Sequence, residues 1–383
     1  MSVRPVLLTA SAALPIMSPK PLDKGAVPAS SRLVRRVGPL WPSPRSQGVA
    51  RDVSKDDLVV STASGLYCPP GDFYIDPWRP VARAVITHGH ADHARAGSAQ
   101  YYTSIAGLPI LRWRLGEQDY RTFSYGEPFS VGAAQVSLHP AGHVLGSAQV
   151  RIEANGAVWV VSGDYKRQPD PTCAPFEVVR CDTFVTEATF ALPVYRWPST
   201  AQVAAEIDAW RAQCAVAGET AILYCYALGK AQRVLAELAA ITDRPVFTHG
   251  AVETGVRVYR SAGVPLLATV PIGEQPRGRD YTGELVIAPP SAAGSAWLRR
   301  FRQAQHGFAS GWMRVRGNRR RRNMDRGFVI SDHADWDDLL RTIRESGAQR
   351  VIATHGSTDA LVRVLSEQSL QAETFSTDYG GEE

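Results

Sequence analysis

The chain has 383 residues, 44% of them apolar, which is enough to fill a large core and predicts about two domains. Lysine and arginine number 42 against 37 acidic residues, so the net charge is +5, a mild excess that is compatible with a polyanionic partner without establishing one. No apolar run approaches the ~18 residues of a membrane-spanning helix, which argues against a membrane protein. The five cysteines are scattered without a C-x-x-C pair, which argues against a disulfide framework and predicts a reducing, cytoplasmic location.

The first segment, residues 1–54, is rich in Pro, Ser, Ala and Arg and shows no sustained hydrophobic period. This composition predicts a disordered basic N-terminal extension. The apolar stretch from Val6 to Met17 resembles the core of a signal peptide, but Pro15 interrupts it and only Arg4 precedes it, so we do not expect secretion.

The folded part is expected to begin near residue 55, with strand-like runs that lead into the stretch VITHGHADHA. The apolar residues 84–86 predict a buried strand. Because alternate residues of a strand share a face, His88 and His90 are expected to point the same way, and the next turn brings Asp92 and His93 beside them. Imidazoles and a carboxylate are ligands for zinc or a similar metal, and two such ions ~3.5 to 4 Å apart suit attack on phosphate esters. The alternative is a surface loop that is rich in histidine by chance.

Three later segments each place a further candidate ligand directly after a β-rich run. SLHPAGHVLGSAQV supplies His143, VWVVSGDYK supplies Asp164, and VIATHG supplies His355. A metal site carried by loops on a rigid sheet takes its residues from such positions. One such residue alone is more often a turn residue or a satisfied polar group, whereas the ordered series favours ligands.

The pattern H-x-H-x-D-H, followed in order by these residues, resembles the signature of the metallo-β-lactamase superfamily. The resemblance implies an α/β fold, the αββα four-layer sandwich, and a site for two divalent metal ions, with zinc expected and manganese as the alternative. It assigns one metal to His88, His90 and His143, the second to Asp92, His93 and His355, and a bridging position to Asp164. Asp76 in FYIDPW stands where the superfamily has a carboxylate that steadies the ligand loop, although it could also be a turn residue ahead of Pro80.

From residue 191 to 325 the pattern changes. Helical stretches at 200–217 and 229–242 alternate with the short apolar strands AILYCYA, PVFTHG and GELVIAPP, which is typical of a parallel α/β unit. An insertion between Asp164 and His355 resembles the β-CASP branch of the superfamily, whose members cut nucleic acids. We therefore expect a metallo-β-lactamase domain over residues 55–190 and 326–383, with an inserted β-CASP domain over residues 191–325.

Further positions carry this narrower resemblance. Glu187 in VTEATF, His333 in SDHADW and His355 in THG match the acidic and histidine positions of the branch. YALGKAQRVL resembles a helix opening of the inserted domain, with Lys230 where arginine is common. The runs SGLYCPPGDFYIDPW and GWMRVRGNRRRRNMDRGFVISDHADW look most like the bacterial DNA-ligase-associated exonucleases of the DNA damage response. The resemblance covers roughly residues 57 to 383.

The resemblance implies hydrolysis of phosphodiester bonds by a water molecule that the metals activate. Asp164 is then part of the catalytic group, and His333 is the candidate donor of a proton to the leaving oxygen, because an imidazole with a pKa near ~6.5 can donate at physiological pH. Glu187 is expected to orient and charge His333. The alternative for His333 is a place in the first turn of a helix opened by Ser331.

The basic run RVRGNRRRRNMDR directly precedes His333. We expect its guanidinium groups to bind a phosphate backbone on its way to the metal site. The predicted nucleic-acid contacts are Arg314, Arg316, Arg319, Arg320, Arg321, Arg322 and Lys230. The alternative is a solvated loop. The neighbouring Phe308, Trp312 and Trp336 could stack on bases or belong to the core.

Together these patterns predict a metal-dependent DNA exonuclease that acts on single-stranded or duplex ends in repair, with an ATP-dependent DNA ligase as functional partner. An RNA-processing nuclease of the ribonuclease J or polyadenylation-factor type is an alternative, because the ligand set does not distinguish DNA from RNA. A nucleic-acid-binding scaffold with a degenerate metal site is another, which the complete ligand series opposes. The long insertion and the arginine run oppose a hydrolase of small thioesters or lactams.

Overall fold

The computed structural model describes residues 57–379, so the predicted basic extension at residues 1–54 lies outside the described residues. The first described part forms a six-stranded sheet and one helix. Its elements are β1 (Val60–Thr62), β2 (Gly65–Cys68), β3 (Phe73–Ile75), β4 (Arg83–Val85), β5 (Gln100–Ser104), α1 (Leu108–Leu115) and β6 (Tyr120–Phe123). The strands lie in chain order, and β3 to β6 are parallel. Parallel strands end at the same edge of a sheet, so Asp76 after β3 and the histidine motif after β4 start from one edge.

A second sheet begins as an antiparallel meander. Its first strands are β7 (Phe129–Val131), β8 (Ala134–Pro140), β9 (Ala148–Ala154), β10 (Ala157–Val161) and β11 (Thr183–Ala188). Strands β7 to β10 pair antiparallel, whereas β11 lies parallel to β10. His143 therefore lies in the turn between β8 and β9, and Asp164 follows the end of β10.

The next part of the chain forms a third sheet with parallel neighbours throughout. Its elements are α2 (Thr200–Ala217), β12 (Thr220–Tyr224), α3 (Lys230–Ala239), β13 (Val246–Thr248), α4 (Gly250–Ser261), β14 (Thr269–Pro271), β15 (Leu285–Ala288), β16 (Ala304–Ala309), α5 (Arg316–Arg321) and β17 (Arg326–Phe328). The strand order is β14-β13-β15-β12-β16-β17. Helix α2 matches the predicted range because Ser199 caps its start and Gly218, at φ +75°, ends it.

The chain then returns to the second sheet. The last elements are α6 (Trp336–Ser346), β18 (Arg350–Gly356), α7 (Thr358–Glu367) and β19 (Gln371–Thr374). Strand β18 lies parallel to β11, and β19 lies parallel to β18. Asp335 caps α6 by accepting a hydrogen bond from the Asp338 backbone N–H. His333 thus precedes the helix, and the alternative that it belongs to a first helical turn opened by Ser331 is wrong.

The first two sheets pack face to face through a buried apolar core, in which Phe73 of the first sheet and Val150 of the second are fully buried. Helix α1 packs on the outer face of the first sheet, and α6 and α7 pack on the outer face of the second, where Leu339 joins the same core as Phe184. The arrangement is a mixed α/β fold, as predicted, with helix, sheet, sheet and helix in successive layers. Within residues 57–379, the helices are too short or too polar to span a membrane.

Candidate active site

The candidate ligands His88, His90 and His143 meet in one group, in which His90 is half-buried and the other two are buried. Nδ1 of His90 lies 3.1 Å from Nε2 of His88 and 3.1 Å from Nε2 of His143. One ligand atom from each of these histidines and from Asp164 lies within 4.8 Å of the others. Three imidazole nitrogens and a carboxylate oxygen around one point form a donor set for a divalent metal such as zinc.

Asp164 joins this group to a second one that contains His93 and His355. Oδ2 of Asp164 lies 3.5 Å from Nε2 of both His88 and His93, and Oδ1 lies 3.1 Å from Nε2 of His355. The ligand atoms of His93, Asp164 and His355 also lie within 4.8 Å of one another. Asp92 lies at the rim, with Oδ2 3.8 Å from Nε2 of His93 and a side chain that is 28% exposed. The structure thus brings the predicted ligands together, with Asp164 between the two groups and Asp92 at the edge.

Asp76 holds the ligand loop in place through hydrogen bonds. Its carboxylate accepts hydrogen bonds from Nδ1 of His93 at 2.7 Å, from the Thr87 backbone N–H at 2.7 Å and from the Thr87 hydroxyl. Asp76 is buried and has φ +43°, a left-handed conformation that is uncommon for a residue other than glycine. Its bond to Nδ1 directs Nε2 of His93 toward Asp164, as expected where a carboxylate orients a metal-binding imidazole.

Backbone carbonyls fix the orientation of two other imidazoles. Nδ1 of His143 donates to the carbonyl oxygen of Asp332 at 2.8 Å, which turns Nε2 toward the ligand group. His90 is turned the opposite way, with Nε2 3.4 Å from the carbonyl oxygen of Leu228 and Nδ1 toward the group. The ligand geometry therefore depends on contacts with two distant segments, one just before α3 and one just after β17.

The charge state of the buried imidazoles suits metal ligation. Burial lowers the pKa of His88 and His143 well below the ordinary value and also lowers the pKa of His90. These rings are therefore neutral near pH 7 and have a lone pair to offer. Nε2 of His93 is buried and has no hydrogen-bond partner within residues 57–379, and a bound cation would satisfy it. The residues fit a divalent metal.

His93 differs from the other rings because carboxylates surround it. Burial acts to lower its pKa, but Asp164, Asp76 and Asp92 outweigh that effect and raise the pKa to about 10. Burial acts to raise the pKa of Asp164, yet His93 and the neighbouring histidines hold it well below the ordinary value. His93 and Asp164 thus form a charged pair, in which a divalent cation would take the place of the His93 proton.

His333 lies beside the ligand group with a carboxylate partner. Nδ1 of His333 donates to Oε2 of Glu187 at 2.8 Å, and both side chains are buried. Oε1 of Glu187 accepts a hydrogen bond from the Tyr165 backbone N–H at 2.8 Å, which fixes the carboxylate. The ring centres of His333 and His143 are 4.8 Å apart. Ligand atoms of Asp164, Glu187 and His333 also lie within 4.8 Å of one another, so the position suits a proton donor or an additional ligand.

Lys230 is not on the surface where a nucleic-acid contact is predicted. Its side chain is fully buried, with Nζ 3.5 Å from Oδ2 of Asp332 and 4.5 Å from the ring centre of Tyr226. A buried ammonium beside a carboxylate can touch a phosphate only if that contact opens. This burial argues against the predicted phosphate contact of Lys230.

The arginine run forms an exposed surface. It comprises a 3₁₀ turn (Gly311–Arg314) and helix α5, between β16 and its neighbour β17, which is an edge strand of the third sheet. Its predicted contact residues are all exposed: Arg314, Arg316, Arg319, Arg320, Arg321 and Arg322. The guanidinium of Arg322 lies 4.7 Å from the ring centre of Phe308. Phe308 and Trp336 are buried, and Trp312 packs 4.8 Å from the ring of Phe190, so these aromatic residues belong to the core.

Tyr379 is a residue of the site that the sequence analysis does not identify. Its ring stacks on His93 with centres 4.5 Å apart and an angle of 11° between the planes. Its hydroxyl donates to the carbonyl oxygens of Ile75 and Asp76 at 3.3 Å. Tyr379 lies in the segment after β19, which has no motif or hydrophobic period, so no local signal marks it.

Comparison with known proteins relates the chain to several nucleic-acid enzymes. No family model matches. The chain is 30% identical over 330 residues to a protein of Opitutus terrae named "Probable DNA ligase", an alignment that covers 83% of this chain and 31% of that protein. It is 22% identical over 213 residues to an RNase J-like protein of Methanocaldococcus jannaschii, covering 48% of this chain and 51% of that protein. It is 30% identical over 131 residues to endoribonuclease ysh1 of Aspergillus fumigatus, covering 33% of this chain and 14% of that protein.

The chain spans at most about half the length of each of these relatives. The RNase J-like protein and endoribonuclease ysh1 support the resemblance to the metallo-β-lactamase superfamily that the motifs indicate.

Proposed function

We propose that this protein is a metal-dependent nuclease of the β-CASP branch that hydrolyses phosphodiester bonds. The observation that carries the proposal is the pair of buried ligand groups that share Asp164, with the His333–Glu187 pair beside them. Two adjacent cation sites with a neighbouring proton donor are the groups that phosphodiester hydrolysis requires. The names of the RNase J-like protein and endoribonuclease ysh1 support a hydrolase that acts on nucleic acids.

The proposal includes the domain organisation. Residues 55–190 and 326–383 would form the metallo-β-lactamase αββα sandwich, and residues 191–325 the inserted β-CASP domain. The four layers around the first two sheets and the parallel third sheet support this division. Strand β17 extends the third sheet a few residues beyond position 325.

In the proposed mechanism, His88, His90, His143 and Asp164 would hold one divalent metal, and His93, His355, Asp92 and Asp164 the other. When bound, zinc or manganese supplies Lewis acidity to the phosphate and lowers the pKa of a water molecule. The protein's own residues position the reacting groups. Asp76 and the carbonyl of Asp332 orient imidazoles. His333 gives a proton to the leaving oxygen, and Glu187 keeps His333 in the orientation and charge state to do so.

We further propose that the substrate is DNA, attacked from single-stranded or duplex ends during repair, in cooperation with an ATP-dependent DNA ligase. The relative named "Probable DNA ligase", which aligns with 83% of this chain, supports a link to DNA end joining. The exposed arginines of α5 would bind the phosphate backbone. An RNA-processing nuclease is the second candidate, because the RNase J-like and ysh1 relatives favour RNA.

The test is an assay of purified protein with Mn²⁺ or Zn²⁺ on end-labelled single-stranded DNA, duplex DNA and RNA of the same sequence. We expect single-nucleotide products from DNA ends, and no cleavage by an Asp164→Ala variant. Faster cleavage of RNA would favour the second candidate. A folded native protein that binds nucleic acid but takes up fewer than two metal ions and cleaves neither substrate would instead indicate a binding scaffold.

A further inference from the structure

A short segment after β17 contacts both a candidate metal ligand and the candidate proton donor. The carbonyl of Asp332 accepts the Nδ1 hydrogen bond of His143, and the next residue is His333, which is bonded to Glu187. The position of residues 331–333 therefore sets the orientation of His143 and His333 together.

The start of α3 holds this segment. Nζ of Lys230 lies 3.5 Å from Oδ2 of Asp332, and Nη1 of Arg233 donates to the carbonyl oxygen of Ser331 at 3.4 Å. Lys230 and Arg233 are fully buried and lie three residues apart, so they share one face of the helix. Two buried cations on one helical turn thus face the backbone and side chain of the 331–333 segment.

The same turn packs closely against the ligand loops. Gly229, at φ +85°, precedes α3, and a Cβ atom placed on it would lie 2.4 Å from Cγ1 of Val144, the residue after His143. Leu228 supplies the carbonyl oxygen that faces Nε2 of His90. Residues 228–233 therefore touch the surroundings of two candidate ligands, His90 and His143.

The Lys230–Asp332 contact matters because it pairs two charges that are both buried. The Asp332 carboxylate is almost fully buried, and its Oδ1 has no hydrogen-bond partner within residues 57–379. Lys230 is the cation that stabilises this carboxylate most, ahead of Arg233 and Lys166. Without Lys230 the buried charge is less well compensated, and the structure then rearranges to let water reach it. Such movement of Asp332 would carry its carbonyl away from Nδ1 of His143.

We infer that Lys230 is a positioning residue of the metal site: its ammonium holds Asp332, and the carbonyl of Asp332 in turn orients His143 for metal binding. Lys230 acts through Asp332 and touches neither metal nor substrate. The inference rests on the proposed metal site and is independent of whether the substrate is DNA or RNA. Loss of such an orienting contact typically weakens metal binding by ~10- to 100-fold.

The test is the affinity of full-length protein for Zn²⁺, measured by competition with a chromophoric chelator. We expect Lys230→Met to lower the affinity of one zinc site by ~10- to 100-fold. Lys230→Arg, which keeps the charge, should restore most of the loss. The double variant Lys230→Met/Asp332→Asn removes both charges, and we expect its zinc affinity to lie within about threefold of native, since the buried ion pair is removed as a whole.

A matched control is Arg211→Met. Arg211 is another buried cation, which pairs with Asp208 on α2, and its loss should lower thermal stability without changing zinc affinity. Binding of single-stranded DNA by the metal-free proteins gives a second readout. We expect the same affinity and salt dependence for native protein and Lys230→Met, because Lys230 does not contact the backbone.

Native zinc affinity in Lys230→Met would overturn the inference, and reduced DNA affinity with a flatter salt dependence would identify Lys230 as a phosphate contact instead. Equal loss of zinc in the single and double variants would also overturn it, because the effect would not pass through Asp332. If Lys230→Met does not fold, Lys230→Gln, which also removes the charge, takes its place and is judged by the same criterion. A native protein that takes up neither Zn²⁺ nor Mn²⁺ would refute the proposed function itself.

Discussion

Replacement of His333 by alanine separates metal binding from catalysis. In the structure His333 makes a 2.8 Å hydrogen bond to Glu187 and lies next to the ligand group. A proton donor acts mainly in the transition state, so its removal should lower kcat while substrate affinity and metal content stay native. General-acid catalysis contributes ~10²- to 10⁴-fold, which corresponds to ~2.7 to 5.4 kcal/mol of activation free energy.

The effect of the substitution on folding is expected to be smaller. His333→Ala leaves Oε2 of Glu187 without this donor, while Oε1 keeps its hydrogen bond to the Tyr165 backbone N–H. An unsatisfied buried acceptor costs ~1 to 3 kcal/mol of stability, which thermal unfolding can detect. Glu187→Gln is the matched control, because it removes the carboxylate charge while it retains a hydrogen-bonding side chain, and its loss of kcat should be smaller.

The assay is single-turnover cleavage of end-labelled DNA with metal content measured in parallel by elemental analysis. A substrate with sulfur in place of the leaving oxygen needs little proton donation, so it should reduce the difference between native and His333→Ala protein. Loss of metal from the variant would show that His333 is a ligand. An undiminished kcat, or no relative gain on the sulfur substrate, would refute the role of proton donor.

Three further predictions concern the metal site and the arginine run. Elemental analysis of native protein should find about two metal ions per chain, because one tetrahedral site cannot use all the candidate ligands, and Asp164→Ala should lose metal together with activity. Full activity of His90→Ala would contradict this assignment. Asp76→Asn should weaken metal binding by ~10- to 100-fold in chelator competition, since it disturbs the hydrogen bond that orients His93. Unchanged metal affinity would make Asp76 a turn residue only. Replacement of the four arginines 319–322 by glutamine should lower DNA affinity for all sequences alike. It should also flatten the slope of log affinity against log salt concentration by about three or four units. An unaltered slope and an unaltered cleavage rate would place the nucleic-acid path elsewhere.

The sequence alone predicts the ligand series because each member follows a β-rich run. His88, Asp164 and His355 come after or at the end of buried strands, and apolar runs reveal such strands without knowledge of the tertiary fold. The helical range 200–217 is likewise local, since Ser199 and Gly218 cap it from adjacent positions. The mixed α/β class follows from the same alternation of local patterns.

Tertiary structure alone decides what surrounds the ligands. Lys230 stands in a segment whose pattern indicates a helix opening, but the fold buries it beside Asp332 and the ring of Tyr226. The contacts of His143 with Asp332 and of His93 with Tyr379 join residues that are far apart in the chain. No local period encodes such pairs, because they arise only when the second and third sheets and the segment after β19 have folded. The physical reason is that a ligand's residue type and strand position are local properties, whereas its orientation, burial and charge depend on groups that only the completed fold brings within hydrogen-bonding distance.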